Sequence, residues 1–346
     1  MNKPLLLLLF NRPDLTTGLL RILESLVDRR IYIAIDGPRS GSKEDAHLCA
    51  EVLRIVDQFS KKRLTPCRTL IQSKNLGCGP GVKAALDWFF DNEESGIILE
   101  DDCHPHLDFF RFQDEMLARY RDDDTVFMVS GSSFLPRPLT IEAPFFFTKY
   151  TQIWGWGAWR RSWKKYEFML PEEDRMDWMQ ILDDACPEIA ERFYWKREFN
   201  KLCGKPVPHT WDYQLQFSAW KSKSKCIWPS TNLVTNRGLR SDATHTISPN
   251  DYLCQKAREI TSNLEAQPAS YNLELDKLLF WFHFLEGDVN RFRYILFESD
   301  ESIQSNLREI AALGDIYTSR RIMADPMLGE VVDLGIKWIK KMLRNN

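Results

Sequence analysis

Three consecutive carboxylates, Glu100, Asp101 and Asp102, are the residues of this sequence best suited to chemistry. They follow the short apolar run 97–99, which is typical of a buried strand. Neighbouring carboxylates repel one another unless a cation or hydrogen bonds compensate their charge. A hard divalent cation with oxygen ligands would do so, and such a cation can also bind a diphosphate. The alternative is an ordinary polar turn, which Pro105 favours.

Other predicted strands also end in polar residues. The first apolar run continues into Arg12, and the second ends in Asp36. Asp36 could accept a hydrogen bond from a nucleotide base or a ribose hydroxyl, or it could bond its own backbone in a turn. The turn after the third strand leads into glycines that could present N–H groups to an anion, although helix entry also explains them. The candidate residues of that turn are Lys74, Asn75 and Gly77.

A second group of candidates lies later in the chain. Asp212, taken alone, is most simply the N-cap of the helix that follows it. Trp154 and Trp156 alternate with glycines in a run of three indoles, which favours a stacking surface for a sugar over core packing. A lone histidine in a polar loop is more often structural than a ligand. The remaining candidates are Trp211, Arg237 and His245.

These residues need a scaffold that brings strand ends together. In the first 150 residues, β-prone runs alternate with helix-length segments, which predicts βαβ units and a parallel sheet covered on both faces. In such a sheet, ligands bind outside the carboxyl ends of the strands. The predicted strands are 5–10, 31–35, 68–72, 97–99 and 126–129, and the predicted helices include 14–28 and the segments that begin at Ser42 and Gly77.

The rest of the chain has a different character. Residues 150–260 contain most of the tryptophans, and the polar stretch 262–270 is typical of a linker. Helical spacing recurs over 178–203 and 211–221 and again from residue 271 onward. We therefore predict one domain over 1–260, with halves at 1–150 and 151–260, and a helical C-terminal region over 271–346.

The last predicted helix combines an apolar face with a basic one. Ile336, Ile339 and Leu343 share one side, whereas Lys340 and Arg344 lie toward the other. Basic amphipathic helices with an indole can lie in an anionic lipid interface, which would place the protein peripherally at the inner membrane face. The alternative is a helix packed on the domain with a solvated basic face.

The overall composition excludes several classes of protein. The chain has 346 residues, a formal net charge of −3 and 44% apolar residues, which argues against a disordered, collagen-like or coiled-coil protein. A nearly balanced charge argues against a nucleic-acid binder. No apolar run approaches the roughly 18 residues of a membrane span. The eight cysteines include no CxxC pair, so we expect reduced thiols and a cytoplasmic protein.

The order of these motifs resembles the GT-A family of nucleotide-sugar glycosyltransferases. Within it, the chain is most similar to the N-acetylglucosaminyltransferase I type and its bacterial relatives. The acidic triplet matches the EDD form of the DxD motif. The other matching elements are Asn75-Leu-Gly, Trp154-Gly-Trp-Gly, Trp211-Asp-Tyr-Gln and Asp242-Ala-Thr-His, which occur in the same order here. The match covers about residues 4 to 247, and the C-terminal hundred residues contribute no motif.

The resemblance implies a GT-A fold, a Rossmann-like and mostly parallel sheet flanked by helices, with a helical C-terminal extension. It also implies an inverting transfer of a sugar from a nucleotide-diphosphate donor, with UDP-sugars favoured, to a hydroxyl of a carbohydrate or glycolipid. Asp102 would bind Mn²⁺ or Mg²⁺, Asp212 would be the general base, and His245 is a further candidate for the metal or the diphosphate. The residues implied to contact the nucleotide-sugar are Arg12, Asp36, Lys74, Asn75, Gly77, Glu100, Asp101, Trp154, Trp156, Trp211 and Arg237.

Two other functions share part of this pattern. A metal-dependent nucleotidyltransferase would use the same sheet and acids, but it usually needs a Gly-rich, Lys- or Arg-bearing first loop. The sequence Asn11-Arg-Pro-Asp lacks that glycine run. A non-enzymatic carbohydrate-binding protein could use the tryptophan run and a bound metal, and it would not need Asp212.

Overall fold

The computed structural model of the chain has an eight-stranded sheet at its centre. It describes residues 2–135, 141–186, 188–238, 255–261, 263–265, 268, 271 and 273–284. The strands are β1 (Leu5–Leu9), β2 (Ile31–Ile35), β3 (Arg68–Ile71), β4 (Ser95–Glu100), β5 (Cys103–Pro105), β6 (Val126–Ser130), β7 (Phe145–Thr148), β8 (Trp156–Trp159), β9 (Lys225–Pro229) and β10 (Val234–Asn236). The central sheet has the order β3-β2-β1-β4-β8-β6-β9-β7, and β5 pairs with β10 in a separate ribbon.

Parallel pairing dominates the N-terminal part of this sheet. The pairs β3–β2, β2–β1 and β1–β4 are parallel, as is β6–β9. Strand β8 runs antiparallel to both β4 and β6, and β7 runs antiparallel to β9. The prediction of an α/β protein with a mostly parallel central sheet is therefore confirmed. The five predicted strands all form, and strands from residues 1–150 and 151–260 share the one sheet.

Helices cover the sheet and connect its parallel strands. They are α1 (Pro13–Leu23), α2 (Lys43–Lys61), α3 (Cys78–Asn92), α4 (Leu107–Arg119), α5 (Arg160–Trp163), α6 (Arg175–Ala185), α7 (Ile189–Asn200), α8 (Asp212–Lys221) and α9 (Leu273–Leu279), followed by a π-helical turn at Phe280–Phe284. None of the described helices combines the length and the apolar character needed to cross a membrane.

The leucine run of β1 shows why a continuous apolar segment forms a central strand. Side chains alternate between the two faces of a strand, so a strand covered on both faces must be apolar at every position. Leu6 packs in the cluster on one face of the sheet, and Leu5 and Leu7 pack in the cluster on the other. All three side chains are fully buried. A single polar substitution here would therefore lie in one of the two cores.

Helix α2 begins after Ser42, in agreement with the predicted start, and Ser42 is its N-cap. The Ser42 hydroxyl accepts a hydrogen bond from the Asp45 N–H at 3.1 Å. The Asp45 carboxylate does not reach back to the cap, because it binds Arg39 and the Asn11 amide instead. The hydrogen bonds from Arg39 hold the pKa of Asp45 well below its usual range. Asp45 thus ties the start of α2 to the polar residues that follow β1.

The described residues of the second half of the chain divide the helical spacing predicted over 178–203 and place part of the predicted linker. The helical spacing over 178–203 corresponds to two helices, α6 and α7, because Pro187 lies between them and cannot donate a backbone hydrogen bond. The stretch from 262, predicted as a linker, contains Leu264, which is buried in the core. The carbonyl of Leu264 accepts a hydrogen bond from Arg119 Nη2 at 2.6 Å, so this part of the chain packs against α4.

The C-terminal region begins with a docked helix. Asp276 of α9 is 1% exposed and accepts hydrogen bonds from the hydroxyls of Thr148 and Tyr271. Leu279 is fully buried. The predicted helical character of 271–346 is confirmed for α9, whereas the basic amphipathic segment 336–344 lies outside the described residues.

We expect Asp276→Asn to remove a pH dependence of stability. Burial raises the pKa of Asp276 to about 6, above the ordinary value of 3.8 that the unfolded chain retains. The folded state therefore binds this proton more tightly, and the free energy of unfolding falls as pH rises from about 4 to about 6. The asparagine variant should lack that slope and gain about 1–3 kcal/mol at pH 8. Urea unfolding at pH 4.5 and pH 8 measures both quantities.

The matched control for this measurement is Asp122→Asn, because Asp122 is an exposed aspartate on the surface turn after α4. Its pH profile should follow that of the unsubstituted chain. An Asp276→Asn profile with the original slope would mean that Asp276 titrates normally in the folded protein.

Candidate active site

The acidic triplet lies at the carboxyl end of β4, beside the exit of β1. Glu100 is the last residue of β4 and is in register with Leu8 of β1. Arg12 is the N-cap of α1, directly after β1, and Pro13 at the first helical position fixes the chain direction there. The parallel pairing of β1 and β4 is therefore what brings an arginine to the acidic triplet.

Arg12 compensates part of the negative charge of the triplet. Its Nε donates to Asp101 Oδ2 at 3.1 Å, its Nη2 donates to Asp101 Oδ1, and its Nη1 donates to Asp102 Oδ2 at 3.2 Å. Asp101 is 1% exposed, so the carboxylate of this bidentate pair is buried, whereas the Arg12 side chain is 28% exposed. The Asp101 carboxylate is engaged by Arg12, and the predicted contact of Asp101 with the donor sugar stays a prediction.

Glu100 is the carboxyl group most disturbed by this crowding. Burial, and then the charges of Asp102 and Asp101, raise the pKa of Glu100 to about 8. The raised pKa favours the protonated form of Glu100, which can donate a hydrogen bond. A positive charge brought close to it would lower this pKa again.

Asp36 organises the turn that leads into α3. Its carboxylate accepts hydrogen bonds from the N–H groups of Gly37 and Leu76 and from the Asn75 amide, each at 2.9 Å. Burial raises the pKa of Asp36 despite these bonds. Gly37 is required here, because a Cβ would lie 2.5 Å from the Lys74 backbone nitrogen. Asp36 therefore makes the hydrogen bond to its own backbone that a turn aspartate is expected to make, Asn75 binds its carboxylate, and nucleotide contacts of Asp36 and Asn75 stay predictions.

We expect Asp36→Ala to destabilise the fold by about 1–3 kcal/mol, because the Leu76 N–H and the Asn75 amide lose their acceptor. The turn that precedes α3 should then relax, and UDP affinity should fall with it. Urea unfolding and UDP titration measure the two effects. Lys74→Ala, at an exposed position of the same turn, should leave stability within about 0.5 kcal/mol. Equal stability of Asp36→Ala and the unsubstituted chain would contradict this role.

The start of α3 is where the separate candidates meet. Gly77 caps the helix with a φ of 81°, a left-handed conformation that favours glycine. Gly79 lies against the loop before α8, since a Cβ there would be 2.5 Å from the Pro208 carbonyl oxygen and 2.9 Å from that of Thr210. This close approach, which needs glycine, holds the loop before α8 against the start of α3.

Cys78 lies at the centre of this convergence. Its thiol is exposed, and partial desolvation followed by the charges of Glu100, Asp212 and Asp36 raises its pKa to about 12. The negative charges of three carboxyl groups, from β4, α8 and the exit of β2, therefore all act on this one thiol. Sequence reasoning did not single out Cys78, and the only signal for it was its place directly after the capping glycine.

Asp212 occupies the first helical position of α8 and is not its N-cap. The cap is Trp211, and no side-chain bond caps the helix. The Asp212 carboxylate is partly buried and accepts a hydrogen bond from the Thr210 hydroxyl. The charge of Asp212 also contributes to the raised pKa of Glu100 and of Tyr166, after burial as the first cause of both, so Asp212 is close enough to act on both groups. The simplest structural interpretation of Asp212 is therefore wrong.

Two of the tryptophans predicted to bind a sugar are buried and pack against each other at the start of α8. Trp156 is 1% exposed and stacks on Trp211, with ring centroids 5.8 Å apart and planes at 26°. The Tyr166 hydroxyl donates to the Trp211 carbonyl at 3.1 Å. Trp156 and Trp211 therefore fix the start of α8 against β8, and contact of either indole with a ligand is excluded in this conformation.

The interpretation of the tryptophan run as an exposed stacking surface is wrong for most of its length. Trp156 and Trp159 belong to the buried strand β8, whereas Trp154 is partly buried and packs edge-to-face on Phe134 at 5.3 Å. The glycines permit this burial, because a Cβ on Gly157 would lie 2.4 Å from the Gln113 side chain. Trp154 is thus the one indole of the run that is not fully buried.

Asp102 is enclosed by the segment that follows β10. The Arg237 N–H donates to the Asp102 carbonyl at 2.8 Å, and a Cβ on Gly238 would lie 2.3 Å from Asp102 Oδ2. The Asn236 side chain accepts from the Gly238 N–H at 2.6 Å and holds this turn. The side chain of Arg237 is exposed, and His245 lies outside the described residues. Sequence reasoning missed Asn236 and Gly238.

The residues around Asp102 fit a metal only together with a ligand. In the part of the chain that the structure describes, no three His, Cys, Asp or Glu side chains are grouped to hold a metal ion. Mg²⁺-like ions are often bound by one or two carboxylates plus substrate phosphates and water. Asp102, with a side chain 15% exposed, can supply one such ligand. A diphosphate would have to supply others.

Comparisons with known proteins do not identify a family for this chain. No protein-family model matches it, and a search of the curated proteins found no matching relative. The argument for function therefore depends on the geometry of the site.

Proposed function

We propose that the chain is an inverting, metal-dependent glycosyltransferase of the GT-A class that uses a nucleotide-diphosphate sugar, with UDP-sugars favoured. The observation that supports this most is the convergence of the acidic triplet with Asp212 around Cys78. The two groups of carboxylates are more than a hundred residues apart in the sequence. Two separate acidic functions at one sheet edge are what a direct displacement needs, one for the leaving diphosphate and one for the attacking hydroxyl.

The donor would lie along the carboxyl ends of β1, β2 and β4. Asp102 is the residue that would hold Mn²⁺ or Mg²⁺, which would neutralise charge on the departing diphosphate. Lys74 is exposed on the turn organised by Asp36 and is placed to approach a phosphate or the base. Arg237 is exposed on the other side of Asp102. Trp154 remains a candidate for the sugar.

Asp212 would act on the acceptor. Its carboxylate faces the same space as Glu100 and is fixed by Thr210 from one side and by the Trp211 stack from below. A carboxylate held in this way can take the proton of an acceptor hydroxyl as that hydroxyl attacks the anomeric carbon. Such a base typically contributes about 10²- to 10⁴-fold in rate. One displacement without a covalent intermediate inverts the anomeric configuration.

Burial of the indoles weakens the non-enzymatic alternative. A carbohydrate-binding protein needs exposed aromatic faces, and Trp156, Trp159 and Trp211 are each at most 2% exposed. In the enzymatic proposal, the packing of Trp156 on Trp211 positions Asp212, which follows Trp211 in the chain.

Nucleotide release tests the proposal. UDP-, GDP- and dTDP-sugars are incubated with the full chain and Mn²⁺, with and without candidate hydroxyl acceptors, and the free nucleoside diphosphate is quantified. We expect release from one nucleotide class, loss of release with EDTA, and an inverted anomer by NMR. Pyrophosphate formed from a nucleoside triphosphate and a sugar phosphate would instead support a nucleotidyltransferase. Binding of a sugar without any release would support a carbohydrate-binding protein.

A further inference from the structure

The turn after α9 reaches the segment that leads into β8. In this π-helical turn, Phe280–Phe284, the His283 ring stacks on Phe134 with ring centroids 4.5 Å apart and planes at 11°. Nε2 of His283 lies 3.1 Å from Nε2 of Gln152. These two contacts join the C-terminal region to the residues just before β8. A π-helical turn is rare, and where one occurs it often marks a functional site.

The hydrogen bonds of Gln152 fix the direction of its contact with His283. Its side-chain oxygen accepts from the N–H groups of Ile153 and Trp154 at 2.7 and 3.2 Å. The amide nitrogen is therefore the atom that faces His283, and it donates to the ring. Burial lowers the pKa of His283 to about 3, which favours the neutral ring, whose Nε2 can accept. Gln152 thus bridges His283 and the backbone of Trp154.

Trp154 is held both through its backbone and through its indole. Its N–H binds Gln152, and its carbonyl accepts from the Ser132 hydroxyl at 2.6 Å. Its indole packs edge-to-face on Phe134, with ring centroids 5.3 Å apart. His283 therefore contacts the side chain that binds the backbone of Trp154 and also the ring that supports its indole.

The segment before β8 runs along β4 toward the acidic triplet. In the antiparallel pair of β4 and β8, Ile98 is opposite Trp156. One residue earlier in the chain, a Cβ on Gly155 would lie 3.2 Å from Leu99 Cδ2. The acidic triplet begins directly after Leu99, so Trp154 comes at the end of β4 where the triplet lies.

We propose that His283 is a positioning residue for Trp154, so that the turn after α9 sets the part of the candidate site that would contact the donor sugar. This inference rests on the proposed function. The hydrogen bond from Gln152 fixes the backbone of Trp154, and the ring stack fixes Phe134 against its indole. The nucleotide would lie at the ends of β1, β2 and β4, so its binding does not depend on His283.

The substitution His283→Phe removes the acceptor alone, because a phenyl ring can keep the stack on Phe134. The buried Gln152 amide then loses a partner and has to reorient, which releases the Trp154 N–H. We expect nucleotide release, from whichever of the UDP-, GDP- and dTDP-sugars the unsubstituted chain turns over, to fall by roughly 5- to 150-fold, the effect of leaving one buried donor unpaired. Affinity for the corresponding nucleoside diphosphate should stay unchanged.

A label on Trp154 gives a readout that does not depend on activity. The full chain is labelled with 5-fluorotryptophan, and the ¹⁹F NMR resonance of Trp154 is assigned by its absence in Trp154→Phe. We expect His283→Phe and Gln152→Leu each to shift this resonance. The double variant should match Gln152→Leu alone, since both changes act through the same hydrogen bond.

Phe280→Leu is the matched control. Phe280 is a buried ring of the same turn, and it packs edge-to-face on Tyr194 at 5.7 Å between ring centroids. The substitution should lower folding stability and leave the Trp154 resonance in place. His283→Asn, whose amide is too short to reach Gln152, gives the same test as His283→Phe if the phenylalanine variant does not fold.

A shifted Trp154 resonance together with reduced nucleotide release supports the inference. The inference is overturned if the resonance stays in place in the folded His283 variant, or if it moves as far in Phe280→Leu. A shifted resonance with unchanged release also overturns it, because Trp154 would then have no part in transfer. Absence of release from every donor by the unsubstituted chain overturns the proposed function, whereas the resonance still shows whether His283 positions Trp154.

Discussion

Asp212→Asn is expected to lower turnover by about 10²- to 10⁴-fold, the usual contribution of a general base, while UDP and Mn²⁺ affinities stay unchanged. The amide cannot take a proton from the acceptor, yet its oxygen can still accept the hydrogen bond from Thr210. The stack of Trp156 on Trp211, which places the start of α8, is not altered by the change. The variant should therefore fold normally and bind its donor.

Single-turnover nucleotide release with saturating donor measures this effect. Asp177→Asn is the matched control, since Asp177 is also an aspartate in the first turn of a helix but is exposed on α6. It should retain full activity. If Asp212→Asn turns over at close to the original rate, Asp212 has only a structural role and the base lies elsewhere.

Asp102→Asn is expected to abolish the dependence of nucleotide binding on the metal. Its amide remains nearly isosteric, but it loses the charge that a divalent cation requires. UDP affinity measured with Mn²⁺ should therefore fall to the value measured with EDTA. Isothermal titration of UDP with and without Mn²⁺ compares the two. Asp91→Asn, at an exposed position on α3, should keep the full metal effect.

Gly238→Ala tests the same site through a residue that packs against the Asp102 carboxylate. A Cβ at this position would lie 2.3 Å from Asp102 Oδ2, so the carboxylate or the turn must move. We expect Mn²⁺ to raise UDP affinity less in this variant than in the unsubstituted chain, with little change in folding stability. If Mn²⁺ raised UDP affinity in both Asp102→Asn and Gly238→Ala as much as in the unsubstituted chain, Asp102 would not be the residue that binds the cation.

The edge of the sheet could be predicted from the sequence, because parallel strands that are buried on both faces are continuous runs of apolar residues. The run of leucines at Leu5–Leu9 and the run Ile31–Ile35 each form a strand. The acidic and polar residues that follow them then had to meet at one edge. The pairing of Arg12 with Asp101 could not be predicted, since it joins residues 89 positions apart through the geometry of a sheet.

The tryptophan run shows where sequence reasoning failed. Glycines next to indoles suggested an exposed loop, because glycine contributes no side chain to a core. In the structure, the absence of a Cβ at Gly157 is what lets β8 pack against the Gln113 side chain, so glycine favours burial here. The position of Asp212 was misjudged for a related reason. The helix begins one residue earlier than a cap at Asp212 would require, with Trp211 as the N-cap and buried in the core.

The place of β8 has a consequence for how the protein is made. Strand β8 lies between β4 and β6, although it follows both in the chain. A nascent chain that has reached only residue 150 therefore carries β4 with an unpaired edge, which is open to wrong partners. The acidic triplet at the end of β4 acquires its final surroundings only after β8 has been inserted and α8 has been synthesised. Assembly of the site is thus a late event in synthesis, and two fragments divided at residue 150 would have to associate to complete the one sheet.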